Sequence, residues 1–159
     1  MRRPGEVWRR QWLWEGKHFC YLLNPRVCSS FFRDMMDDPV WETSLPVFTF
    51  VRHPWDRLIS ALSLIGGRIS LWDRYRRNQG DLHLHPQSWF LSKWPVDFIG
   101  KYEHLERDYL AMQKTFGHNL PPLRVVHASK SRPRWEDVDF PWDRVYERYA
   151  KDFELGYSR

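Results

Sequence analysis

The sequence predicts one α/β domain in which parallel strands are joined by crossover helices. Three observations predict it. Apolar, strand-like runs alternate with helix-like runs along the chain. The stretch Phe48-Thr-Phe-Val-Arg52-His-Pro54 passes from an apolar strand directly into a helix start. No repeat, low-complexity tract or Ser/Gly linker divides the 159 residues, a length that suits one core, and the whole of 1–159 is read as a single domain. In such a fold ligands gather outside the carboxyl ends of the strands.

The elements follow in order. Residues 18–23 read as a buried strand, and 29–36 as a helix ended by Asp37-Asp38-Pro39. Residues 47–51 form the second strand. Trp55, Leu58, Ile59 and Leu62 recur with helical spacing, which predicts a helix over 55–65 stopped by Gly66-Gly67. The polar stretch 68–85 carries no assignable period. Pro86 opens a short helix to residue 93, 96–102 reads as a third strand, and 104–116 as an amphipathic helix closed by Gly117. A short fourth strand is expected at 123–126 and a last helix at 141–151.

Aromatic residues make up 17% of the chain and include ten Trp, so a core is well supplied. No apolar run approaches the roughly 20 residues of a membrane span, and the opening residues lack a hydrophobic signal region. A cytoplasmic location is expected. A Golgi membrane is the alternative for a chain preceded by an anchor. Two cysteines, Cys20 and Cys28, are too few for a disulfide framework and have no zinc spacing. The net charge of +5 favours anionic partners without choosing among nucleotides, acidic glycans, nucleic acid and lipid headgroups. From charge alone, a solubilising surface is the better explanation.

Two strand ends carry the parts of an anion site. At the first, Leu23-Asn-Pro25-Arg26-Val27-Cys28-Ser29-Ser30 brings a cation, two hydroxyls and a helix start together. It is not a Walker A loop, because the glycines and the Gly-Lys-Ser/Thr ending are missing. An ordinary Ser-capped helix beside a surface Arg is the other explanation. At the second, Arg52 ends a strand and Ser60 lies along the following helix, where both can face an anion held near the helix N-terminus. Two such sites in one small sheet suggest a ligand with phosphates at both ends.

Read together, Pro25-Arg-Val-Cys-Ser29-Ser30 and Phe50-Val-Arg52-His-Pro54-Trp-Asp-Arg57-Leu-Ile-Ser60 resemble the two nucleotide-binding elements of a known enzyme family. These are the sulfotransferases that use 3′-phosphoadenosine 5′-phosphosulfate (PAPS), in particular the carbohydrate sulfotransferase branch. Asp81-Leu-His83-Leu-His85-Pro86-Gln87 resembles that branch's Asp-x-His-x-x-Pro-Gln element. Val96-Asp97-Phe98-Ile99-Gly100-Lys-Tyr102-Glu103-His-Leu105-Glu106-Arg-Asp108 resembles its strand and helix segment. Ala128-Ser129-Lys130 and the closing Tyr149 to Tyr157 also fit, so the likeness spans nearly the whole chain.

The resemblance implies a P-loop-like three-layer sandwich, a central parallel sheet flanked by helices. It implies transfer of the PAPS sulfonate to an acceptor hydroxyl, of a carbohydrate in this branch. Arg26, Val27, Cys28, Ser29 and Ser30 would bind the 5′-phosphosulfate, Arg52 and Ser60 the 3′-phosphate, and Ser129 and Lys130 would add nucleotide contacts. The family usually has Lys where this chain has Arg26. Guanidinium keeps the charge but does not donate a proton as an ammonium does, so binding should survive better than turnover. No metal-ligand cluster is visible, and chemistry without a metal is expected. Only 26 positions separate Arg26 from Arg52, as in a minimal core, and the acceptor is left open.

A hydroxyl nucleophile benefits from a base near neutrality. His83 matches the family histidine and is the first candidate, with Arg26 beside it at the reacting centre. His85, Gln87 and Glu103 are candidates for meeting the acceptor. Glu103 is also a candidate base, with an ion pair or helix cap as the structural alternative. His53 should shape the turn. Trp89, Trp94, Trp135 and Trp142 belong to packing before sugar stacking. Arg68, Arg74, Arg76 and Arg77 form either a solvated helix face or a cradle for an anionic acceptor. Two other functions stay open: a catalytically impaired sulfonucleotide-binding module, and a basic nucleic-acid binder. The second lacks a helix-turn-helix, RNP or zinc signature, and no nucleic acid is expected as a partner.

Overall fold

The computed structural model describes residues 12–124 and 133–159. It is an α/β structure built on a five-stranded mixed sheet of order β3-β1-β2-β4-β5. The strands are β1 Leu13–Glu15, β2 Cys20–Leu22, β3 Asp38–Pro39, β4 Val47–Val51 and β5 Phe98–Lys101. Helix α1 Ser29–Asp34 follows β2, and α2 Pro54–Ile65 follows β4. Then come α3 Leu71–Arg77, α4 Gln87–Leu91, α5 Leu105–Phe116 and α6 Trp142–Phe153.

Three of the four strands expected from the sequence, β2, β4 and β5, are mutually parallel, with Cys20 opposite Val47 and Phe48 opposite Phe98. The all-parallel expectation needs correction at the other edge. There β1 runs antiparallel to both β2 and β3. The cause is a tight turn in which Gly16 N–H donates to Phe19 O at 2.9 Å, folding β1 back on β2 as a hairpin. Among the described residues 123–124 are not strand, and the rest of the expected fourth strand lies outside them, as do Ser129 and Lys130.

Strand β4 is buried along its whole length and decides the layering. Phe48 and Phe50 point to a face where they meet Tyr21, Phe32 of α1, and Tyr109 and Met112 of α5. Phe32 stacks on Phe50 with centroids 4.9 Å apart, an offset aromatic packing that adds to area burial. Val47, alternating to the other face, joins Leu13, Cys20 and Leu22, against which Leu91 and Trp94 pack. A separate cluster holds Trp55, Leu58 and Leu62 of α2 with Val145, Tyr149 and Phe153 of α6. Gly100 is required where β5 crosses Phe50, because an added Cβ would stand 2.3 Å from the ring.

Carboxylates fasten the ends of these elements. Asp97 Oδ2 accepts from Val47 N–H at 2.7 Å, and Asp108 Oδ2 accepts from Lys101 N–H at 2.8 Å. Asp152, fully buried on α6, accepts from Gln87 N–H and Ser88 N–H at 2.8 Å each and so caps α4 from another helix. The first holds the amino end of β4, the second the carboxyl end of β5, and the third sets α4 against α6.

Candidate functional site

The loop after β2 is the least relaxed backbone in the described chain. Arg26 and Cys28, neither of them Gly, adopt φ of 69° and 52°. Each such residue costs on the order of 1 kcal/mol, so surrounding contacts must hold it. They do. Asn24 Nδ2 donates to Phe50 O at 2.9 Å, Tyr21 hydroxyl donates to Val27 O at 3.4 Å, and Arg57 Nε donates to Pro25 O at 2.9 Å. Val27 is buried, while Arg26, Cys28, Ser29 and Ser30 are half-buried. Cys28 makes no side-chain cap for α1, and burial pushes its thiol up to about 11 although Arg52 pulls the other way.

The loop after β4 is held from the side instead. Gln87, fully buried, spans Arg52: its Oε1 accepts from Arg52 N–H at 2.8 Å and its Nε2 donates to Arg52 O at 2.7 Å. The same Oε1 accepts from Asn24 Nδ2 at 3.0 Å, so one amide locks both loops together. Pro54 occupies the first turn of α2, and His53 N–H donates to Glu103 Oε1 at 2.7 Å. The Arg52 guanidinium lies 4.6 Å from the Tyr102 ring centroid, a cation–π contact that leaves its N–H edge for a ligand.

Three guanidiniums converge between these loops. Arg26 Nε donates to Ser60 Oγ at 3.1 Å, bringing the first loop onto the buried hydroxyl of α2. Arg57 is 1% exposed. Burial lowers its pKa to about 10; Asp152 opposes that shift, whereas Arg26 and Arg52 reinforce it. Its charged form is thus held at a cost on the order of 3 kcal/mol. Two buried polar atoms here lack a partner among the described residues, Arg57 Nη2 and Asn24 Oδ1. Among the described residues no ion pair ties Arg52 or Arg57 to a carboxylate within 4.0 Å. The result is an electropositive cluster whose charge suits an oxyanion.

The histidines stand on the neighbouring segment. Asp81 Oδ1 accepts from His83 N–H and contacts His83 Nδ1, both at 2.8 Å, which leaves Nε2 as the ring nitrogen able to take a proton. Burial alone would raise the Asp81 carboxyl, but the His83 contacts outweigh it and hold it below the usual range. The His83 side chain is 41% exposed. His85 is held below its ordinary pKa by burial and by Arg148 and Arg57, and its ring meets Trp89 edge-on at 4.9 Å.

The structure joins Arg26 to Ser60 and holds the Arg52 backbone on Gln87, and Arg57 links the first loop to the histidine segment by donating from Nε to Pro25 O at 2.9 Å and from Nη1 to His85 O at 2.8 Å. The amide of Gln87 is committed to Asn24 and the Arg52 backbone, so its place in the site is to position Arg52. Glu103 is exposed and accepts from His53 N–H and from the Tyr157 hydroxyl, a turn-bracing role. Of the basic run, Arg74 donates to the carbonyls of Leu62, Gly67 and Ile69 and so closes the end of α2. Trp55 and Trp142 pack in the core, and Trp135 stacks on His53 at 5.3 Å.

Arg57, Asn24 and Asp152 had no role assigned from sequence. A signal for Arg57 was present: it precedes Ser60 by three residues, which places both on one helix face. Asn24 and Asp152 gave none, because their partners are 26 or more residues away. Among the described residues no group of three or more His, Cys, Asp or Glu could hold a metal, and no helix is long and apolar enough to cross a membrane. No family model, curated protein or solved structure matches the chain.

Proposed function

We propose that this protein binds a 3′-phosphorylated sulfonucleotide and transfers its sulfonate to an acceptor hydroxyl, as the PAPS-dependent sulfotransferases do, with a carbohydrate as the acceptor class. The observation that carries the reading is the convergence of Arg26, Arg52 and Arg57 with Ser60 at the carboxyl ends of two parallel strands. Helices packed on both faces of the three parallel strands are consistent with a P-loop-like sandwich whose sheet has gained an antiparallel edge.

In this reading Arg52 and Ser60 take the 3′-phosphate, and residues 26–30 take the 5′-phosphosulfate. The acceptor oxygen attacks sulfur in line, the bond from sulfur to the bridging oxygen breaks, and adenosine 3′,5′-bisphosphate leaves. Guanidiniums aimed at the departing oxygens stabilise the charge that develops there. His83, oriented through Nδ1 by Asp81, accepts the hydroxyl proton at Nε2. Ser129 and Lys130 are assigned to the nucleotide by resemblance alone.

One observation favours a second reading, a binding module without turnover. Arg26 reaches back to Ser60, so a 3′-phosphate and Arg26 compete for the same hydroxyl. The test is a pair of assays on the folded protein. Calorimetry should detect adenosine 3′,5′-bisphosphate binding that Ser60→Ala weakens, and labelled PAPS with a glycan panel should show transfer that His83→Ala abolishes while donor binding persists. Binding without transfer selects the module. A folded protein that ignores the bisphosphate excludes both readings.

A further inference from the structure

Arg57 joins the two halves of the site. Its Nε holds the carbonyl of Pro25, next to Arg26, and its Nη1 holds the carbonyl of His85, two residues beyond His83. A rigid planar fork therefore sets the spacing between the anion loop and the histidine segment. The side chain is buried at 1% exposure, and Nη2 has no partner among the described residues. Arg57 carries its charge beside two other guanidiniums, Arg26 and Arg52, with Asp152 the nearby carboxylate.

We propose that Arg57 is a positioning residue that couples the two segments, so that filling the anion loop orders the His83 to Gln87 stretch that carries the base. This rests on the sulfonucleotide reading of the same site. An oxyanion placed against Arg26 and Arg52 offsets their repulsion of Arg57. The fork then binds both carbonyls more firmly, and the histidine segment, already hydrogen-bonded in the empty protein, opens less often. The coupling is reciprocal: whatever rigidifies the histidine segment also improves anion affinity. Lysine in place of Arg57 keeps a charge but cannot span two carbonyls with a fixed fork.

Hydrogen exchange of the full chain, free and saturated with adenosine 3′,5′-bisphosphate, tests the coupling. In the wild type, amides of residues 83–91 should exchange several-fold more slowly in the complex, together with those of 26–30. In Arg57→Lys the slowing should persist at 26–30 and vanish at 83–91. Slowing at 83–91 that survives the substitution would mean that Gln87 alone carries the signal, and it overturns the proposal. Slowing confined to 26–30 and 52–60 in the wild type overturns it without any variant, and leaves the sulfonucleotide reading standing. Absence of binding removes both.

Discussion

The loop after β2 and the loop after β4 open at the same end of the sheet, yet they are preorganised by different means. The first stores backbone strain at Arg26 and Cys28 and is held by contacts from other elements. The second is nearly relaxed, begins its helix with Pro54, and is clamped on both sides of Arg52 by one buried amide. Strain suits a loop that must re-form around a ligand. A clamp suits a residue that must already be in place when the ligand arrives. The contrast predicts that stability is concentrated in the second loop and adaptability in the first.

Breaking the clamp should have the largest effect. Gln87→Leu removes the partner of Arg52 N–H and of Arg52 O and leaves Asn24 Nδ2 with Phe50 O alone, and should cost about 2 kcal/mol or more in chemical denaturation, since each orphaned group forfeits roughly 1 to 3 kcal/mol. A loss under about 1 kcal/mol would show that water replaces the amide. Arg52→Ala should instead weaken adenosine 3′,5′-bisphosphate binding roughly 10- to 100-fold, the worth of one charged hydrogen-bonding partner, while the denaturation midpoint barely moves.

How much of this was legible beforehand divides along the same line. Strands β2 and β4 could be read because a buried strand is a continuous apolar run, β5 because the short apolar stretch from Val96 to Ile99 is bounded by Gly100, and α2 and α5 because their apolar residues recur every three or four positions. The hairpin strand β1 and the two-residue β3 were not, since neither is a continuous apolar run and their pairing depends on the turn at Gly16. Arg52 and Ser60 stood out by residue type next to a strand end. The clamp did not, because Gln87 becomes buried only when Asp152 arrives from α6 to cap its helix. Arg57 likewise reads as a surface arginine until Pro25 and His85 are seen to converge on it.

Smaller effects sharpen the comparison. Cys28→Gly relieves one left-handed residue and should raise stability by up to about 1 kcal/mol, whereas a clear loss would mean the side chain's packing outweighs the strain. The smallest effect is on pH dependence. Asp81 is held below its ordinary 3.8, so its contribution is present above that value and is lost as the pH falls through its folded pKa. His85 is held below 6.5, so the fold loses stability as the pH drops beneath that value and the ring protonates. Asp108 is likewise held low: burial would raise it, but its neighbours, chiefly Arg107, outweigh that. Stability should therefore decline on acidification, and Asp81→Asn should make the decline below about 3.8 shallower without abolishing it in a pH series of denaturation curves.

The central claim is that Arg52, fixed before binding, recognises a 3′-phosphate. Its most direct test compares adenosine 3′,5′-bisphosphate with adenosine 5′-monophosphate by calorimetry, in the wild type and in Arg52→Ala. The bisphosphate should bind the wild type at least about tenfold more tightly than the monophosphate, and Arg52→Ala should erase most of that difference. Equal affinity for the two nucleotides, or a preference that survives loss of Arg52, would contradict it.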